Sequence, residues 1–464
     1  EYLLLALNTS CGRWRRAGER IPNPGALLPP ALGRAQASAP RPGWGKGESL
    51  RSRPLGNSAA GLPTAALSDE ILYEGDERIR ALVCLGSNPV AAWPDQRKAI
   101  AAMKKLELLV TLDIKLSATS KLAHYVVAPK LSLEVPGLSV SSEGVEQTYV
   151  AHGYPEPYAQ YTKAIVAPPP GSDVIEEWEF FYGLAKRMGI ALTCYPIRAE
   201  AGVLRGRREA FLLDMQKKPT TDEVLAGLMN GSRIPLDEIK RHPHGQIFDA
   251  EHAGPAFAPK PEHGFVAPAD RANLDRLDVG NPDMLAELAG IRAERVASGA
   301  KGATTHDGTS NATVAARATE SRPVARPFQL ISRRLPNVYN SSGRDIEALQ
   351  RGKTWNPAFL HPDDLVMLGL ADGDLVEITS DHDSILGVVE SASELRRGIV
   401  SMAHCYGDGP DEDGEQGEKD ERVRALGSST GRLVDNLRDF DPHTGIPRMS
   451  AIDVSLRRHE PSTR

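Results

Sequence analysis

The chain has 464 residues, enough for about three domains of ordinary size. It carries 55 Lys and Arg against 61 Asp and Glu, a formal net charge of −6, which argues against a nucleic-acid backbone as its partner. The four cysteines form no CxxC pair, and no apolar run approaches the roughly 18 residues of a membrane span. We therefore expect a protein without a nucleic-acid partner or a membrane span. A cytoplasmic location is a separate expectation that these features do not establish.

The first segment, residues 1–66, is predicted to be irregular. Six prolines stand between Ile21 and Pro42, a density that neither a helix nor a central strand tolerates. We expect an extended arm here.

From residue 67 the sequence pattern is typical of an α/β domain. Apolar strand patterns alternate with helical ones, a rhythm typical of a parallel sheet. The predicted strands are Ile79–Leu85, which we expect to be buried, Leu108–Leu112 and Tyr125–Ala128. Helices are predicted near Ser68–Tyr73, from Pro94, over Ser117–Ala123 and over Asp173–Arg187.

The second half begins with weakly patterned sequence and then becomes β-rich. Helices are predicted at Thr221–Met229 and Pro282–Val296, and Ser298–Pro327 has the composition of a linker. Strand patterns then follow at Phe328–Ser332, Leu375–Ser380, Ser384–Val389 and Gly398–Met402, and they favour a compact β-barrel. The acidic stretch Asp408–Asp420 is predicted to be a solvated loop.

The end of the first predicted strand is a candidate ligand site. In open α/β sheets, ligands bind beyond the carboxyl ends of the strands, and Gly86 and Asn88 stand in that turn. Gly permits close backbone approach and Asn offers an amide donor and acceptor, although many such turns contain both residues for structural reasons. Asp113 ends the next strand, where its carboxylate suits either a ligand or the cap of the following helix.

A second candidate site follows the strand at 328. Arg333 and Arg334 are followed by Asn340 and Ser341, and forked guanidinium donors suit a diphosphate. The alternative is a pair of surface arginines. No hydrolase, Walker or metalloprotease motif is present, and four histidines between 242 and 263 lack metal-ligand spacing.

Together these segments resemble the molybdopterin oxidoreductase family, which includes dimethyl sulfoxide reductases, formate dehydrogenases and nitrate reductases. The first block that carries the resemblance is ALVCLGSNPVAAWPDQRKAIAAMKKLELLVTLDIKLSATSKLAHYVVAP (81–129). The others are FQLISRR with YNSSGRD (328–345), and NPAFLHPDDLVMLGLADGDLVEITSDHDSILGVVE with LRRGIVSMAHCYG (356–407).

The resemblance implies an α/β fold in four parts: the arm 1–66, a Rossmann-like domain over 67–194, a helical and loop insert with linker over 195–325, and a C-terminal double-psi β-barrel over 326–464. It implies a bis-molybdopterin guanine dinucleotide cofactor with molybdenum or tungsten. The cofactor-binding positions that it implies are Gly86, Asn88, Leu112, Asp113, Glu177, Ser332, Arg333, Arg334, Asn340, Ser341, His404, Gly407 and Asn436.

The resemblance also implies what this sequence does not carry. The family's E-K-E-G-T segment is replaced by Leu133–Gly137, which lacks the Lys, and the metal-ligating residue and the cysteine motif of a [4Fe–4S] cluster do not appear. We therefore expect the C-terminal part of a longer oxidoreductase, with a small-molecule substrate and an electron-transfer partner subunit, inactive by itself. The alternatives are a non-catalytic cofactor-binding remnant or subunit, and a barrel that serves as a protein-interaction module. No catalytic residue or metal ligand is assigned, and any [4Fe–4S] cluster would come from a preceding region.

Overall fold

The computed structural model describes most of the chain. The described residues are 2–20, 26, 34–36, 46–57, 61–139, 156–194, 199–200, 203–204, 211–230, 232–248, 265–272, 276–299, 327–350, 352–408, 420–441 and 445–460. Most of the Pro-rich stretch 21–42, nearly all of the predicted linker and the acidic insert between 408 and 420 lie outside them.

The helices, in chain order, are α1 (Tyr2–Ser10), α2 (Thr64–Leu72), α3 (Pro89–Ala92), α4 (Gln96–Lys105), α5 (Glu177–Met188), α6 (Thr221–Leu228), α7 (Leu236–Lys240), α8 (Pro282–Gly299), α9 (Glu347–Gln350), α10 (Pro362–Leu368) and α11 (Asp420–Leu426). Short 3-10 turns lie at Ser120–Leu122 and Thr430–Leu433.

The strands are β1 (Lys46–Ser49), β2 (Gly56–Asn57), β3 (Ala81–Leu85), β4 (Leu108–Leu112), β5 (Tyr125–Val127), β6 (Gly137–Leu138), β7 (Tyr158–Ala159), β8 (Tyr161–Thr162), β9 (Thr193–Cys194), β10 (Ala199–Glu200), β11 (Val203–Leu204), β12 (Phe211–Leu212), β13 (Gln246–Ile247), β14 (Phe328–Arg333), β15 (Ala358–Leu360), β16 (Leu375–Thr379), β17 (Ser384–Ser391), β18 (Ile399–Ala403) and β19 (Ile452–Arg458).

The chain divides into two compact units, each made from two separate stretches. The first unit comprises Glu1–Arg41 with Lys130–Ser321, and the second comprises Pro42–Pro129 with Arg322–Arg464. In the second unit an α/β layer and a β-barrel are therefore assembled from stretches about 200 residues apart in sequence.

The α/β layer of the second unit contains the predicted parallel sheet. Its order is β3-β4-β5, with Val83 opposite Val110 and Val110 opposite Tyr125. Cys84 and Leu109 pack with Ala99 and Met103 of α4 in one apolar core. The expectation of a buried first strand is wrong in part, because β3 is an edge strand and leaves Val83 38% and Leu85 44% exposed.

The segment between β4 and β5 does not form the predicted helix over Ser117–Ala123. It forms only the 3-10 turn Ser120–Leu122. The Ser120 hydroxyl donates to Asp113 (3.0 Å) and also lies 3.0 Å from the Ser117 hydroxyl. Side chains that bond locally in this way compete with the helical backbone, which explains the shortened element.

The barrel of the second unit is closed by six strands in the order β14-β18-β15-β17-β16-β19. Two neighbouring pairs are parallel, β14 with β18 and β15 with β17, and the other pairs are antiparallel. Its interior holds buried apolar side chains from the strands and from α10, among them Phe328, Leu360, Leu365, Val400 and Val454. The prediction of a barrel is confirmed.

The first unit contains the predicted amphipathic helix, but that helix starts later than expected. It begins at Glu177, because the Glu176 backbone N–H donates to the Glu179 carboxylate (2.8 Å) and so caps the first turn. The arm that was predicted to be irregular contains α1, whose sequence YLLLALNTS is rich in the helix formers Leu and Ala. Among the described residues, no helix is both long and apolar enough to cross a membrane.

Candidate cofactor-binding site

The turn after β3 joins two of the predicted positions directly. The Gly86 N–H donates to the Leu112 carbonyl at 3.0 Å, so this turn is fixed to the end of the central strand. Gly86 adopts a φ of +53°, and a Cβ built there would meet no described atom within 4 Å. A glycine that faces open space at the carboxyl end of a parallel sheet leaves room for a ligand.

Asn88, two residues further on, has only half of its carboxamide satisfied. Its Oδ1 accepts from the Thr119 N–H (3.2 Å) and from the Thr119 hydroxyl (2.9 Å). Its Nδ2 is buried and has no partner among the described residues. Since buried polar groups in folded proteins nearly always have a partner, this free amide donor marks a position where a ligand would fit.

The Asp113 carboxylate is engaged by its own loop. Besides the Ser120 hydroxyl, it accepts from the Lys115 backbone N–H at 3.4 Å. These contacts resemble the helix cap that the sequence left open as an alternative, although the element that follows is a single 3-10 turn. Asp113 therefore organises the loop at the end of β4.

Three predicted residues of the barrel meet around one amide oxygen. Asn340 Oδ1 accepts from Arg334 Nη1 at 2.6 Å and lies 3.2 Å from His404 Nε2. Burial, together with the Arg334 charge, lowers the pKa of His404 below its ordinary value. The histidine is thus neutral near pH 7, and Arg334 supplies the positive charge of this cluster.

Two residues that the sequence analysis did not identify connect the α/β layer to the barrel loops. Lys115 Nζ forms an ion pair with Asp345 (2.6 Å) and donates to the Ser341 carbonyl (3.4 Å). Gln96 Nε2 donates to the Val90 carbonyl (3.1 Å) and to the Gly407 carbonyl (2.8 Å). No local pattern reveals these contacts, because the partners are 226 and 311 residues away along the chain.

The two adjacent arginines do not act together. Side chains that follow one another in extended chain point to opposite sides, and the Arg333 guanidinium lies over the Phe359 ring at 4.0 Å, with Nη2 3.6 Å from Glu394. Its buried Nη1 has no partner among the described residues. The expected pair is therefore divided, with Arg334 in the Asn340 cluster and Arg333 over Phe359.

Three further predicted residues stand apart from that cluster. Asn436 is buried, and its whole carboxamide is hydrogen-bonded within the protein. Its Nδ2 donates to the Ala65 carbonyl (2.9 Å) and to Asp69 (3.1 Å), and its Oδ1 accepts from Lys98 Nζ (3.1 Å). Ser332 is exposed, and its N–H donates to the Ser450 hydroxyl at 3.2 Å. Glu177 is an exposed residue at the start of α5 and belongs to the first unit.

The residues that do gather in the second unit suit an anionic ligand. They combine the cations Arg334 and Lys115 with the free amide of Asn88 and with open space at Gly86. Guanidinium, ammonium and amide groups are the usual donors to phosphate oxygens. Among the described residues, no group of three or more His, Cys, Asp or Glu is placed to hold a metal ion.

Comparisons with known proteins agree with this chemistry. Residues 328–452 match the family described as "Molydopterin dinucleotide binding domain". The alpha subunit of the F420-dependent formate dehydrogenase of Methanocaldococcus jannaschii is 28% identical over 120 residues, which cover 26% of this chain and 16% of that protein. The alpha subunit of the NADPH-Fe(3+) oxidoreductase of Geobacter sulfurreducens is 32% identical over 130 residues, which cover 27% of this chain and 14% of that protein.

A solved structure extends the likeness in fold. The acetylene hydratase from Pelobacter acetylenicus superimposes with a TM-score of 0.51 at 16% identity, and the match covers 86% of this chain and 47% of that one. The matched stretches span well under two thirds of each of these proteins. The domain match and the formate dehydrogenase relative support the resemblance of this chain to the molybdopterin oxidoreductase family, and the solved structure supports the likeness in fold.

Proposed function

We propose that this chain holds a bis-molybdopterin guanine dinucleotide cofactor, with molybdenum or tungsten, as part of an oxidoreductase that acts on a small molecule. One observation carries the proposal: Gln96 donates to both Val90 and Gly407, so the turn after β3 and a late barrel loop lie side by side in one unit. A long dinucleotide needs contacts from both elements. The unpartnered amide of Asn88 and the cations Arg334 and Lys115 belong to this same unit.

The proposed contacts divide by chemistry. Gly86, Asn88, Leu112 and Asp113 would bind the nucleotide portion, and Arg334, Asn340, Ser341, His404 and Gly407 would bind the diphosphate and pterin. Arg333 is proposed as a separate phosphate contact through its free Nη1, and Ser332 as its neighbour on the strand. Recognition of the donor edge of guanine by Glu177 stays a prediction from the resemblance. For Asn436 we propose a peripheral contact with the cofactor.

The proposal includes the finer fold assignments and the wider context. The α/β stretch 67–194 is proposed as a Rossmann-like domain and the barrel 326–464 as a double-psi barrel. When bound, the metal centre supplies the redox chemistry, and the residues of this chain bind and orient the cofactor. The formate dehydrogenase and NADPH-Fe(3+) oxidoreductase relatives are both alpha subunits, which supports our proposal of a partner subunit that transfers electrons. A cytoplasmic location is part of the proposal as well.

The test is the cofactor content of the protein. The protein is purified from a host that makes the molybdenum cofactor, and guanine nucleotide is released by denaturation and measured by chromatography, with metal measured by mass spectrometry. We expect guanine nucleotide together with molybdenum or tungsten. A protein that contains neither would refute the proposal.

A matched pair of variants tests whether the barrel loop binds the cofactor. Arg334→Ala removes a charged donor, and a charge-assisted hydrogen bond contributes about 1.5–3 kcal/mol, so we expect roughly a tenfold or greater loss of nucleotide retention. The control is Arg457→Ala, an exposed barrel arginine that is ion-paired with Glu377. Equal retention in both variants would exclude Arg334 from the site.

A further inference from the structure

Thr119 makes an unusual set of contacts with the turn after β3. The residue is completely buried, and both its N–H and its hydroxyl point to Asn88 Oδ1, at 3.2 and 2.9 Å. The same hydroxyl accepts from the Val90 N–H at 3.0 Å. One hydroxyl thus joins the side chain of Asn88 to the backbone two residues later.

These contacts determine which way the Asn88 carboxamide faces. A hydroxyl that accepts from Val90 has its own proton free to donate, so Thr119 presents two donors to Asn88. A reversed carboxamide would place its NH₂ against the Thr119 N–H, a donor that cannot accept, and would lose that hydrogen bond. The oxygen must therefore face Thr119, and the NH₂ must face the opposite side.

On that opposite side, no group of the described residues accepts from the NH₂. Asn88 is 8% exposed, and its Nδ2 has no partner among the described residues. A hydrogen-bonded arrangement that fixes a buried donor and leaves it without an acceptor is uncommon in folded proteins. The missing partner must be an acceptor, since both nitrogen protons are donors.

We infer that Thr119 is a positioning residue that holds the Asn88 NH₂ toward an oxygen acceptor of the bound nucleotide. The inference rests on the proposed function and adds a residue whose effect passes entirely through Asn88. Thr119 itself touches no ligand in this arrangement, because its hydroxyl and its N–H are both used within the protein.

The experiment measures binding of guanosine diphosphate to the full chain by isothermal titration calorimetry. Thr119→Val keeps the shape and removes the hydroxyl, and we expect the Kd to rise about tenfold, the loss typical of one hydrogen bond. Thr119→Ser restores the hydroxyl, and its Kd should return to within about threefold of that of the parent protein. The matched control is Thr111→Val, which removes a buried hydroxyl that has no partner among the described residues.

A double-mutant cycle separates positioning from a merely structural role. Asn88→Ala should weaken binding as much as Thr119→Val, and the double variant should be no weaker than Asn88→Ala alone, because both changes remove one contact. Additive losses would overturn the inference, since Thr119 would then act independently of Asn88. Unchanged binding by Thr119→Val together with lost binding by Asn88→Ala would also overturn it, while the proposed function would stand.

If Thr119→Val does not fold, a second measurement on the parent protein and on Thr119→Ser still tests the inference. The side-chain amide resonance of Asn88 should shift when guanosine diphosphate is added to the parent protein and to Thr119→Ser. A parent protein that binds the nucleotide without this shift would refute the inference alone. A parent protein that binds no guanosine diphosphate and contains no guanine nucleotide would refute the proposed function, and the inference with it.

Discussion

Two histidines of the second unit sit in opposite electrostatic surroundings. His382 Nε2 lies 3.1 Å from Asp95 Oδ2, and this hydrogen bond, with the nearby Asp435 and Asp383 carboxylates, raises the pKa of His382. At His404, burial first and then the Arg334 charge lower the pKa. The two residues should therefore contribute to stability with opposite pH dependence.

For His382 we predict a stabilising contribution that disappears at higher pH. Its folded-state pKa is above the unfolded value of about 6.5, so the contribution is complete below that pH and is lost as the pH rises through the folded pKa. Urea unfolding of the parent protein and of His382→Gln between pH 5.5 and 8.5 measures it. The gap between the two free energies of unfolding should narrow as the pH rises, and a constant gap would show that the Asp95 contact does not shift the titration.

For His404 we predict the opposite pH dependence of stability. Its folded-state pKa is below about 6.5, so the unfolded chain takes up the proton first as the pH falls. The parent protein should therefore lose stability relative to His404→Gln below about pH 6.5 and match its pH dependence above it. The same urea series measures this, and a relative gain of stability at low pH would contradict the neutral state assigned to His404.

At the scale of residues, the sequence predicts the parts of the site that have a local signal. Gly86 and Asn88 follow from a strand that ends in a turn, and the structure gives both residues features that suit a ligand. Thr119, Gln96 and Lys115 have no such signal, because their roles depend on partners that only the folded chain brings near. The sequence also could not show that Arg333 and Arg334 point to different sides, because this depends on how the strand is oriented in the barrel.

At the scale of elements, Gly407 shows how tightly the late barrel loop packs. It adopts a φ of +68°, and a Cβ there would lie 2.6 Å from the Ser429 nitrogen. Gly369, at the end of α10, has a similar φ of +65°, but a Cβ there would meet no described atom within 4 Å. The two glycines thus share the backbone conformation and differ in the space around them.

We predict that Gly407→Ala is clearly more destabilising than Gly369→Ala. Each substitution pays about 1–2 kcal/mol for a left-handed backbone, and only Gly407→Ala adds a clash with the main chain, worth about 1–3 kcal/mol. The free energy of unfolding in urea measures both. Equal losses would mean that the 428–429 backbone moves aside at little cost.

Element boundaries followed the sequence where apolar periodicity was strong. Strand β4 has the bounds that its pattern predicts, β14 and β16 differ from their predictions by one residue at one end, and β18 is shifted by one residue at both ends. Boundaries failed where side chains bond locally, as at the 3-10 turn Ser120–Leu122 and at the Glu176 cap of α5. The spacing of apolar residues indicates which face of an element is buried, but it does not indicate such local side-chain contacts.

At the scale of the whole second unit, Gln96 joins the α/β layer to the barrel. The residue is 2% exposed, and its amide satisfies the carbonyls of Val90 and Gly407. Gln96→Leu keeps a similar volume and leaves both carbonyls without this donor. We predict a loss of about 2 kcal/mol in the free energy of unfolding, together with lower guanine nucleotide content in the purified protein.

The control for this prediction is Gln329→Leu. Gln329 lies on β14 with an exposed side chain, whose amide makes a long contact of 3.4 Å with the Asp453 carboxylate. Gln329→Leu should change neither the free energy of unfolding nor the guanine nucleotide content appreciably. If Gln96→Leu behaved like Gln329→Leu, the hydrogen bonds of Gln96 would not be what keeps the layer and the barrel loop together.

The sequence predicted both an α/β layer and a barrel, but not that they form one unit. Pro42–Pro129 and Arg322–Arg464 belong together through contacts such as those of Gln96 and Lys115. Contacts over more than 200 residues leave no periodic trace in either stretch. A single sequence therefore yields the elements and not their assembly.

The closure of the barrel has a consequence for the order of biosynthesis. Strand β19 pairs with β14 on one side and with β16 on the other, so it is the strand that completes the ring. Until Ile452–Arg458 has emerged from the ribosome, β14 and β16 each present an unpaired edge, the kind of surface that recruits foreign strands. The nascent polypeptide thus passes through a stage with two unpaired strand edges, and the ring can close only after the last strand has been translated.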